Sequence, residues 1–330
     1  MTEGPSPTVS VIIPARNAAA TLPACLDALR KQVGGPPDYE VIVVDDGSSD
    51  DTAAIAEAAG ARVERTAHGG AAAARNHGVA VARGSLLLFT DADCEPTPNW
   101  MARMVAPFAD ASVAGARGVY RTRQRSLVAR FVQLEYEDKY RLLKPLQDID
   151  FVDTYSAAYR RDAFVQGGGF DPSVRFVEDQ DFSFRLANQG YRLVFVPDAI
   201  VYHRHADSLR AYARKKYYIG FWKARIVQAH PNKLARDTHT PPSQRAQVAL
   251  FYLALALCVP AAAGLVSFWW PGAAALALTA TTLPFAWRAA RKDFPVAVAS
   301  PALLWVRTAA LGVGLAVGMV RFLPGRLWRR

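Results

Sequence analysis

Two aspartates, Asp91 and Asp93, directly follow the apolar run at residues 86–90. Two carboxylates with this spacing at the end of a strand can converge on one hard divalent cation, which prefers oxygen ligands and bridges phosphate oxygens. A cation there would neutralise charge developing on a diphosphate leaving group. Alone the pattern is weak, because acids that cap or solvate a loop also produce it.

A second acidic pair, Asp45 and Asp46, precedes the turn Gly47-Ser48 at the end of another apolar run. A carboxylate in this place can accept a hydrogen bond from an N–H on the edge of a nucleotide base. The polar residues that follow at 50–52 are assigned the structural role of capping the next helix.

A third cluster at residues 69–78 places two glycines before an alanine-rich segment. Small residues permit close approach of the backbone, and Arg75 in this segment can meet a phosphate. The plain alternative is an ordinary helix start that carries a surface arginine.

These clusters need a scaffold that brings them together. Apolar, β-branched runs predict strands at 9–13, 40–44 and 85–89, and alanine-rich stretches predict helices at 20–31, 52–59 and 71–81. Strands that are apolar throughout and alternate with helices indicate a parallel sheet covered on both faces. Ligands bind beyond the carboxyl ends of such strands. Each of three polar clusters follows a strand there: Pro14-Ala15-Arg16-Asn17, Asp45-Asp46-Gly47-Ser48 and Asp91-Ala92-Asp93. The sequence therefore predicts an α/β fold with one shared site.

The second half of the chain is less regular. We predict a helix at 126–143, a strand around 152–159, a helix from about 179 and a strand at 192–196. A further helix at 209–227 mixes basic and aromatic residues, which is typical of a helix at a membrane surface. An ordinary amphipathic helix and a nucleic-acid face are the alternatives, although no nucleic-acid motif accompanies it.

Five segments in series resemble glycosyltransferase family 2, whose members have the GT-A fold. They are Val11-Ile12-Ile13-Pro14-Ala15-Arg16-Asn17, Val44-Asp45-Asp46-Gly47-Ser48, Ala74-Arg75-Asn76, Thr90-Asp91-Ala92-Asp93 and, further on, Gly168-Gly169-Phe170-Asp171 with Glu178-Asp179-Gln180-Asp181. Together they cover roughly residues 8 to 205. The resemblance implies a nucleotide-diphospho-sugar transferase with a mostly parallel sheet and helices on both faces.

The resemblance also implies roles on the donor side. Pro14, Ala15, Arg16 and one of Asp45 and Asp46 would line the nucleoside pocket, and one of the aspartates would contact a uracil. Arg75, Asp91 and Ala92 would complete the donor site. Asp93 would be a direct ligand of a divalent metal ion, Mn²⁺ or Mg²⁺.

On the acceptor side, Asp179 would be the general base that deprotonates a hydroxyl for in-line attack, with Glu178, Gly168 and Gly169 beside it. One base on the acceptor face gives inversion at the anomeric carbon. Capping of the following helix is the structural alternative for Asp179. His203 is a candidate metal contact with His205 as its competitor, although a lone histidine is more often structural.

Two departures refine the resemblance. The Gln-x-x-Arg-Trp signature of processive synthases does not occur in this sequence, which favours transfer of one sugar per binding event. Ser156 stands where relatives often have an asparagine, a longer side chain, so acceptor contacts of relatives are not carried over to that position.

The C-terminal part has the composition of a membrane anchor. No charged residue occurs from Ala246 to Trp287, about twice the roughly 20 residues that cross a bilayer once. A turn signal at 267–272 divides this run, so we predict a helical hairpin at about 247–287. A last apolar segment at about 295–323, with Arg307 inside, is an interfacial, re-entrant or third membrane helix, and Arg307 can snorkel or pair there.

Charge supports the same interpretation. The net charge is +10, and from Arg245 onward nine Lys/Arg stand against one acid, Asp293. Basic residues flank the apolar segments at 288–292 and at Arg326, Arg329 and Arg330, which marks the cytoplasmic side. The N-terminal residues 1–5 show no signal-peptide pattern, and three widely spaced cysteines match no disulfide or zinc framework. We therefore expect a multi-pass protein of the cytoplasmic (inner) membrane with a cytosolic catalytic part.

The resulting domain prediction has three parts: a GT-A catalytic domain at 1–205, an interfacial helix and linker at 206–245, and a membrane anchor at 246–330. The catalytic domain is divided into a nucleotide-binding half at about 8–110 and an acceptor half at about 111–205. The expected partners are a nucleotide-sugar donor, a lipid-linked or saccharide acceptor and membrane lipids, without nucleic acid; homo-oligomerisation is left open. The expected activity is metal-dependent, inverting transfer of one sugar. The alternatives are an inactive membrane-associated scaffold and a sugar nucleotidyltransferase, although the latter would want a glycine-rich, lysine-containing N-terminal loop.

Overall fold

The computed structural model describes residues 8–233 and 237–322. These residues form two compact units. We call residues 8–123 with 143–204 the sheet unit, and residues 124–142 with 205–322, apart from 234–236, the helical unit. The stretch 124–142, predicted within the acceptor half, thus groups with the C-terminal helices.

The described part of the sheet unit has eight strands: β1 (Val9–Ala15), β2 (Tyr39–Asp46), β3 (Arg62–Thr66), β4 (Leu86–Phe89), β5 (Glu95–Pro96), β6 (Val113–Arg121), β7 (Ala157–Arg160) and β8 (Arg192–Tyr202). They form one mixed sheet in the order β3-β2-β1-β4-β7-β6-β8-β5. The pairs among β1 to β4 are parallel, as is β6 with β8, whereas β7 runs antiparallel to β4 and β6. The predicted α/β architecture is confirmed.

In chain order the described α-helices are α1 (Leu22–Arg30), α2 (Thr52–Ala58), α3 (Ala71–Val81), α4 (Trp100–Val105), α5 (Leu127–Leu143), α6 (Arg161–Gln166), α7 (Glu178–Asn188), α8 (Leu209–Ala229), α9 (Pro242–Ala262), α10 (Trp269–Ala280), α11 (Leu283–Ala290) and α12 (Phe294–Arg321). The predicted helices and strands of the first hundred residues are present, with bounds that differ by up to two residues. The core strands β1, β2 and β4 are buried along most of their length, because helices cover both faces of the sheet.

The predicted hairpin differs from the structure in its second arm. α9 is 21 residues long, whereas α10 has 12 residues and α11 has eight. The break falls at Thr281 and Thr282, whose hydroxyls donate to the carbonyls of Leu278 and Thr279. Pro284 follows in the first turn of α11 and has no N–H to continue the helical hydrogen bonds.

α12 is the longest helix in the described part of the chain, with 28 residues. A Cβ at Gly314 would lie 2.1 Å from the Tyr217 carbonyl oxygen of α8, and one at Gly318 would lie 2.2 Å from that of Phe221. These glycines therefore let the backbones of α12 and α8 meet. α9 and α12 are long and apolar enough to cross a membrane. Leu323, Arg326, Arg329, Arg330 and residues 1–5, on which sequence predictions rested, lie outside the described residues.

Arg307 of α12 pairs rather than snorkels. Its guanidinium donates to Glu135 Oε1 of α5 at 2.8 Å and also to the Gln247 side chain of α9. Glu135 additionally contacts Lys216 Nζ at 3.2 Å and accepts from the Tyr212 hydroxyl at 2.9 Å. This buried network joins α5, α8, α9 and α12 into one helical unit.

Candidate active site

The carboxyl ends of β1 and β2 place the first two predicted clusters side by side. The two strands are parallel, and Ala15 is the register partner of Asp45. Pro14 lies beside Val44, and the exposed Arg16 follows directly. The sheet therefore brings together the residues that sequence reasoning assigned to one pocket.

Asp45 and Asp46 differ in what they contact. Asp46 accepts hydrogen bonds from the backbone N–H groups of Gly69 and Gly70, at 2.6 and 3.0 Å, and lies 2.8 Å from His68 Nδ1. Both of its carboxylate oxygens thus hold the loop before α3. Asp45 accepts from the backbone N–H of Ser48 through Oδ1 at 3.0 Å.

His68 is a residue of this pocket that sequence reasoning missed. Its Nδ1 faces Asp46, and its Nε2 lies 2.9 Å from the Arg16 guanidinium. The ring therefore connects the loop before α3 to the residue that follows β1. Its position directly before the Gly69-Gly70 pair was the available signal.

Arg75 on α3 is buried and joins two acids that are far apart in the sequence. Its two terminal nitrogens donate to Asp91 Oδ1 and Glu178 Oε1, each at 2.8 Å. Both carboxylates favour the charged guanidinium and raise the pKa of Arg75 although burial opposes this. The predicted contact of Arg75 with a phosphate stays a prediction, because both terminal nitrogens donate hydrogen bonds to Asp91 and Glu178.

Asp91, Ala92 and Asp93 form the turn after β4. The Asp91 carbonyl accepts from the Cys94 backbone N–H at 3.0 Å, and Ala92 is buried. Asp93 is 38 % exposed, and its Oδ2 lies 3.6 Å from His203 Nε2, at the end of β8. Asp93, Cys94 and His203 each bring one potential ligand atom within 4.8 Å of the others.

The chemistry of this donor set fits a divalent cation held by a carboxylate and an imidazole. The Cys94 thiol is fully buried and lies 3.8 Å from Asp93 Oδ1. Burial and the neighbouring Asp91 and Asp93 carboxylates raise its pKa well above the usual range, which disfavours the thiolate that binds metals. Asp93 and His203 are therefore the two groups of the set suited to Mn²⁺ or Mg²⁺.

The His203 ring is held by aromatic neighbours. Tyr155 lies edge-on to it with centroids 4.5 Å apart, and Tyr120 does so at 5.8 Å. His205, the competitor, belongs to the helical unit, where it stacks on Tyr136. Burial lowers the His205 pKa to about 4.

Glu178 and Asp179 open α7, and both carboxyl groups have raised pKa values. Burial is the main cause for each, and the neighbouring Glu178 and Asp153 carboxylates raise the pKa of Asp179 further. The Arg75 charge opposes both increases. Asp179 Oδ1 also accepts from the backbone N–H of Gln180 at 2.8 Å, so it contributes to the helix start as well. A carboxylate with a raised pKa is suited to proton abstraction near neutral pH.

Gly168 and Gly169 shape the turn that precedes α7. Both have positive φ, 80° and 64°, which glycine adopts without strain. A Cβ at Gly169 would lie 2.9 Å from Asn76 Oδ1. The Asn76 side chain donates to the Phe170 carbonyl and accepts from its N–H, at 2.7 and 3.0 Å. Two neighbours on α3 therefore hold different parts of the site. Arg75 holds Asp91 and Glu178, and Asn76 holds the turn at Gly168-Gly169.

Ser156 does not line the site. Its hydroxyl is fully buried and accepts from the Trp100 indole N–H at 2.8 Å. Asp50 accepts from the backbone N–H of Thr52, the first residue of α2, at 3.1 Å and from that of Ala19, whereas Asp51, the N-cap residue, makes no side-chain capping hydrogen bond. These residues serve the scaffold.

Comparisons with known proteins agree with this architecture. Residues 10–168 match the family model "Glycosyl transferase family 2". The chain is 32% identical over 239 residues to a pre-mycofactocin glycosyltransferase of Mycobacterium tuberculosis, covering 69% of this chain and 49% of that protein. It is 28% identical over 203 residues to the glycosyltransferase AglE of Haloferax volcanii, covering 60% of this chain and 67% of that protein. The chain thus spans about half the length of the mycobacterial relative.

One solved structure extends the likeness over most of the chain. The mannosyltransferase PcManGT from Pyrobaculum calidifontis, determined in complex with GDP-Man and Mn²⁺, superposes with a TM-score of 0.61 at 23% identity. The match covers 96% of this chain and 88% of that one. At this identity the likeness concerns the fold.

Proposed function

This chain belongs to glycosyltransferase family 2 and has the GT-A fold, and from that premise we propose that it transfers one sugar from a nucleoside-diphosphate donor to a hydroxyl acceptor. UDP is the first donor nucleotide to test. The observation that carries the proposal is the Arg75 bridge. It fixes Asp91, at the end of β4, and Glu178, next to the proposed base, on one buried guanidinium.

The donor's base would bind beside Asp45. Both carboxylate oxygens of Asp46 already accept from the loop before α3, so Asp45 is the better candidate to accept from a base N–H. Pro14 and Ala15 would form the wall of the pocket, and Arg16 would meet the nucleotide. Asp91 and Ala92 would complete the donor side.

Asp93 and His203 would hold the divalent cation, with their potential ligand atoms 3.6 Å apart. When bound, the cation supplies electrostatic stabilisation of the departing diphosphate. The chain's own contribution is to hold the Asp93 carboxylate and the His203 imidazole in place from β4 and β8. The Tyr155 and Tyr120 rings fix the imidazole plane.

Asp179 would take the proton from the acceptor hydroxyl as that oxygen attacks the anomeric carbon. Its raised pKa makes the carboxylate a stronger base than an exposed aspartate. Attack on the face opposite the leaving diphosphate inverts the anomeric configuration. Glu178, Gly168 and Gly169 would shape the acceptor side around this base.

The helical unit would bring the enzyme to a membrane and to a lipid-linked or glycan acceptor. α9 and α12 are long and apolar enough to cross a bilayer. Large apolar side chains are exposed between and beside them, among them Leu265, Trp269 and Phe294, each at least 70 % exposed. An exposed apolar surface of this kind is typical of membrane contact, with tryptophan at the interface.

The experiment is release of the nucleoside diphosphate by the full chain in detergent or membranes, screened over UDP- and GDP-sugars with Mn²⁺ or Mg²⁺. We compare Asp93→Ala and Asp179→Asn with the control Asp27→Asn, which replaces an exposed aspartate on α1 that pairs with Arg30 and Lys31 of the same helix end. Asp93→Ala should abolish metal-dependent turnover, and Asp179→Asn should lower it by about 10²–10⁴-fold. The control should match the unmodified protein.

Two results would count against the proposal. Turnover unaffected by both site substitutions would place the chemistry elsewhere. Failure of the folded protein to bind any donor, measured by calorimetry, would favour the inactive scaffold.

A further inference from the structure

The helical unit contains a cavity of about 240 Å³ that plays no part in the proposed sugar transfer. It lies among α5, α9, α11 and α12. Its lining combines apolar side chains such as Phe285 and Leu304 with an excess of basic groups. The charged side chains that line it are four cations and two anions: Lys139, Arg141, Arg288, Arg307, Glu135 and Asp138.

The two acids are already neutralised by the protein. Glu135 is shared between Arg307 at 2.8 Å and Lys216 at 3.2 Å, and the two cations hold its pKa at about 2 despite burial. Asp138 pairs with Arg288 at 2.7 Å and with Arg141 at 3.4 Å. Five cations therefore lie around two carboxylates. Arg307 and Lys216 are largely buried, whereas the Arg288 and Arg141 side chains are 39 % and 56 % exposed, and the excess of positive charge favours an anion there.

Two further features aim donors at the same cavity. Arg307 is 6 % exposed, and its Nε has no hydrogen-bond partner among the residues that the structure describes. The first turn of α9 contributes Pro241, Pro242 and Ser243 to the lining. Pro241 and Pro242 have no N–H, so Ser243 supplies the backbone and hydroxyl donors of this turn, beside the partial positive charge at the N-terminus of the 21-residue helix.

We propose that this cavity binds the phosphate group of an anionic membrane lipid. A lipid is favoured over free phosphate because the cavity lies at the first two turns of α9, one of the two helices able to cross a bilayer. If α9 spans, its first turns lie at the head-group level, where basic pockets between helices bind lipid phosphates. The inference rests on the proposed membrane association and not on the sugar-transfer chemistry.

The test is thermal unfolding of the full chain in detergent, followed by tryptophan fluorescence. The titrants are a short-chain phosphatidic acid, the matching phosphatidylcholine and inorganic phosphate. A ligand that binds the folded state raises the unfolding temperature with its concentration. Phosphatidic acid should stabilise the protein saturably, and the other two titrants should not at equal concentration.

Arg288→Gln and Lys139→Gln, on different helices, should each weaken the apparent affinity by about tenfold or more, since each removes a charged donor to the phosphate. Arg291→Gln is the matched control, because Arg291 lies over the Trp287 ring and does not line the cavity. Equal affinity in all three variants would overturn the proposal in favour of general surface charge. Equal stabilisation by inorganic phosphate would overturn it in favour of a free-anion site.

Donor turnover by the same variants separates this inference from the proposed function. Lost lipid affinity with normal turnover supports the cavity site. An unmodified protein that turns over donor but gains no stability from phosphatidic acid refutes the cavity site alone.

Discussion

Arg75→Gln removes the buried cation that faces Asp91 and Glu178, and its consequences can be worked out from the distances. Each ion pair has an N–O distance of 2.8 Å. With charge centres about 4 Å apart, each is worth about 4 kcal/mol at an effective dielectric constant near 20. Desolvation of the guanidinium offsets much of that sum, and loss of one partner of a buried pair costs about 3–5 kcal/mol.

We therefore expect the unfolding transition of the sheet unit to fall by roughly 6–20 °C. The pH dependence should change as well. The Arg75 charge lowers the pKa values of Glu178 and Asp179, so both rise further without it. Because a general base must be ionised, the acid limb of kcat/KM moves to higher pH.

Calorimetry and a pH–rate profile of the full chain measure both effects. Arg65→Gln is the control, since that arginine is exposed and pairs with an exposed Glu57, a kind of pair worth about 0–1 kcal/mol. The double variant Arg75→Gln/Glu178→Gln removes one uncompensated carboxylate and should recover part of the lost stability. A single variant that unfolds at the unmodified temperature, with an unmoved acid limb, would refute the reasoning.

Three further outcomes follow from the structure. Turnover should fall as the pH drops through the raised pKa of Asp179, which lies above the usual carboxyl value of about 4. Asp179→Asn should remove this acid limb of the pH–rate profile, while the donor Kd measured by calorimetry stays unchanged. Glu135→Gln should cost about 3–5 kcal/mol in denaturant unfolding. Since the folded Glu135 pKa is about 2, its contribution should be present above about pH 4.3, the unfolded value, and be lost as pH falls towards 2; unchanged acid stability would argue against the network. Gly314→Ala should destabilise by about 1–3 kcal/mol or more, because its Cβ would meet Tyr217, whereas Gly272→Ala, with nothing within 4 Å, should be neutral or stabilising; equal melting temperatures would contradict the close packing.

The parallel half of the sheet was predictable because its signals are local. Apolar runs such as 9–13 and 40–44 carry the strand pattern within a few residues, and the acids that follow them mark the carboxyl ends. β3 was missed because it lies at the sheet edge, where Arg62 and Glu64 interrupt the apolar pattern. β5 is two residues long and carries no periodicity.

The placement of the candidate residues after strands was predictable from the sequence, but the contacts among them were not. That Asp91 and Asp93 lie after a strand is local information. That Arg75 pairs with Glu178, 103 positions later, depends on how the fold places α3 beside the first residue of α7. The same holds for His68, which acquires a role only when β1 and β2 bring Arg16 and Asp46 to either side of it.

The position of α5 in the helical unit has a consequence for synthesis. Glu135 meets Arg307 only after 172 further residues have been made, which takes roughly 10–35 s at a ribosomal rate of about 5–20 residues per second. Until residues 285–307 have been made, the face of α5 that bears Phe131 and Glu135 lacks one or both of its partners on α11 and α12. The nascent chain must therefore carry α5 with its apolar face uncovered while β7 and β8, which are made later, join the sheet. A gene fragment ending near residue 205 would leave that face without its partners permanently, and such a fragment should aggregate.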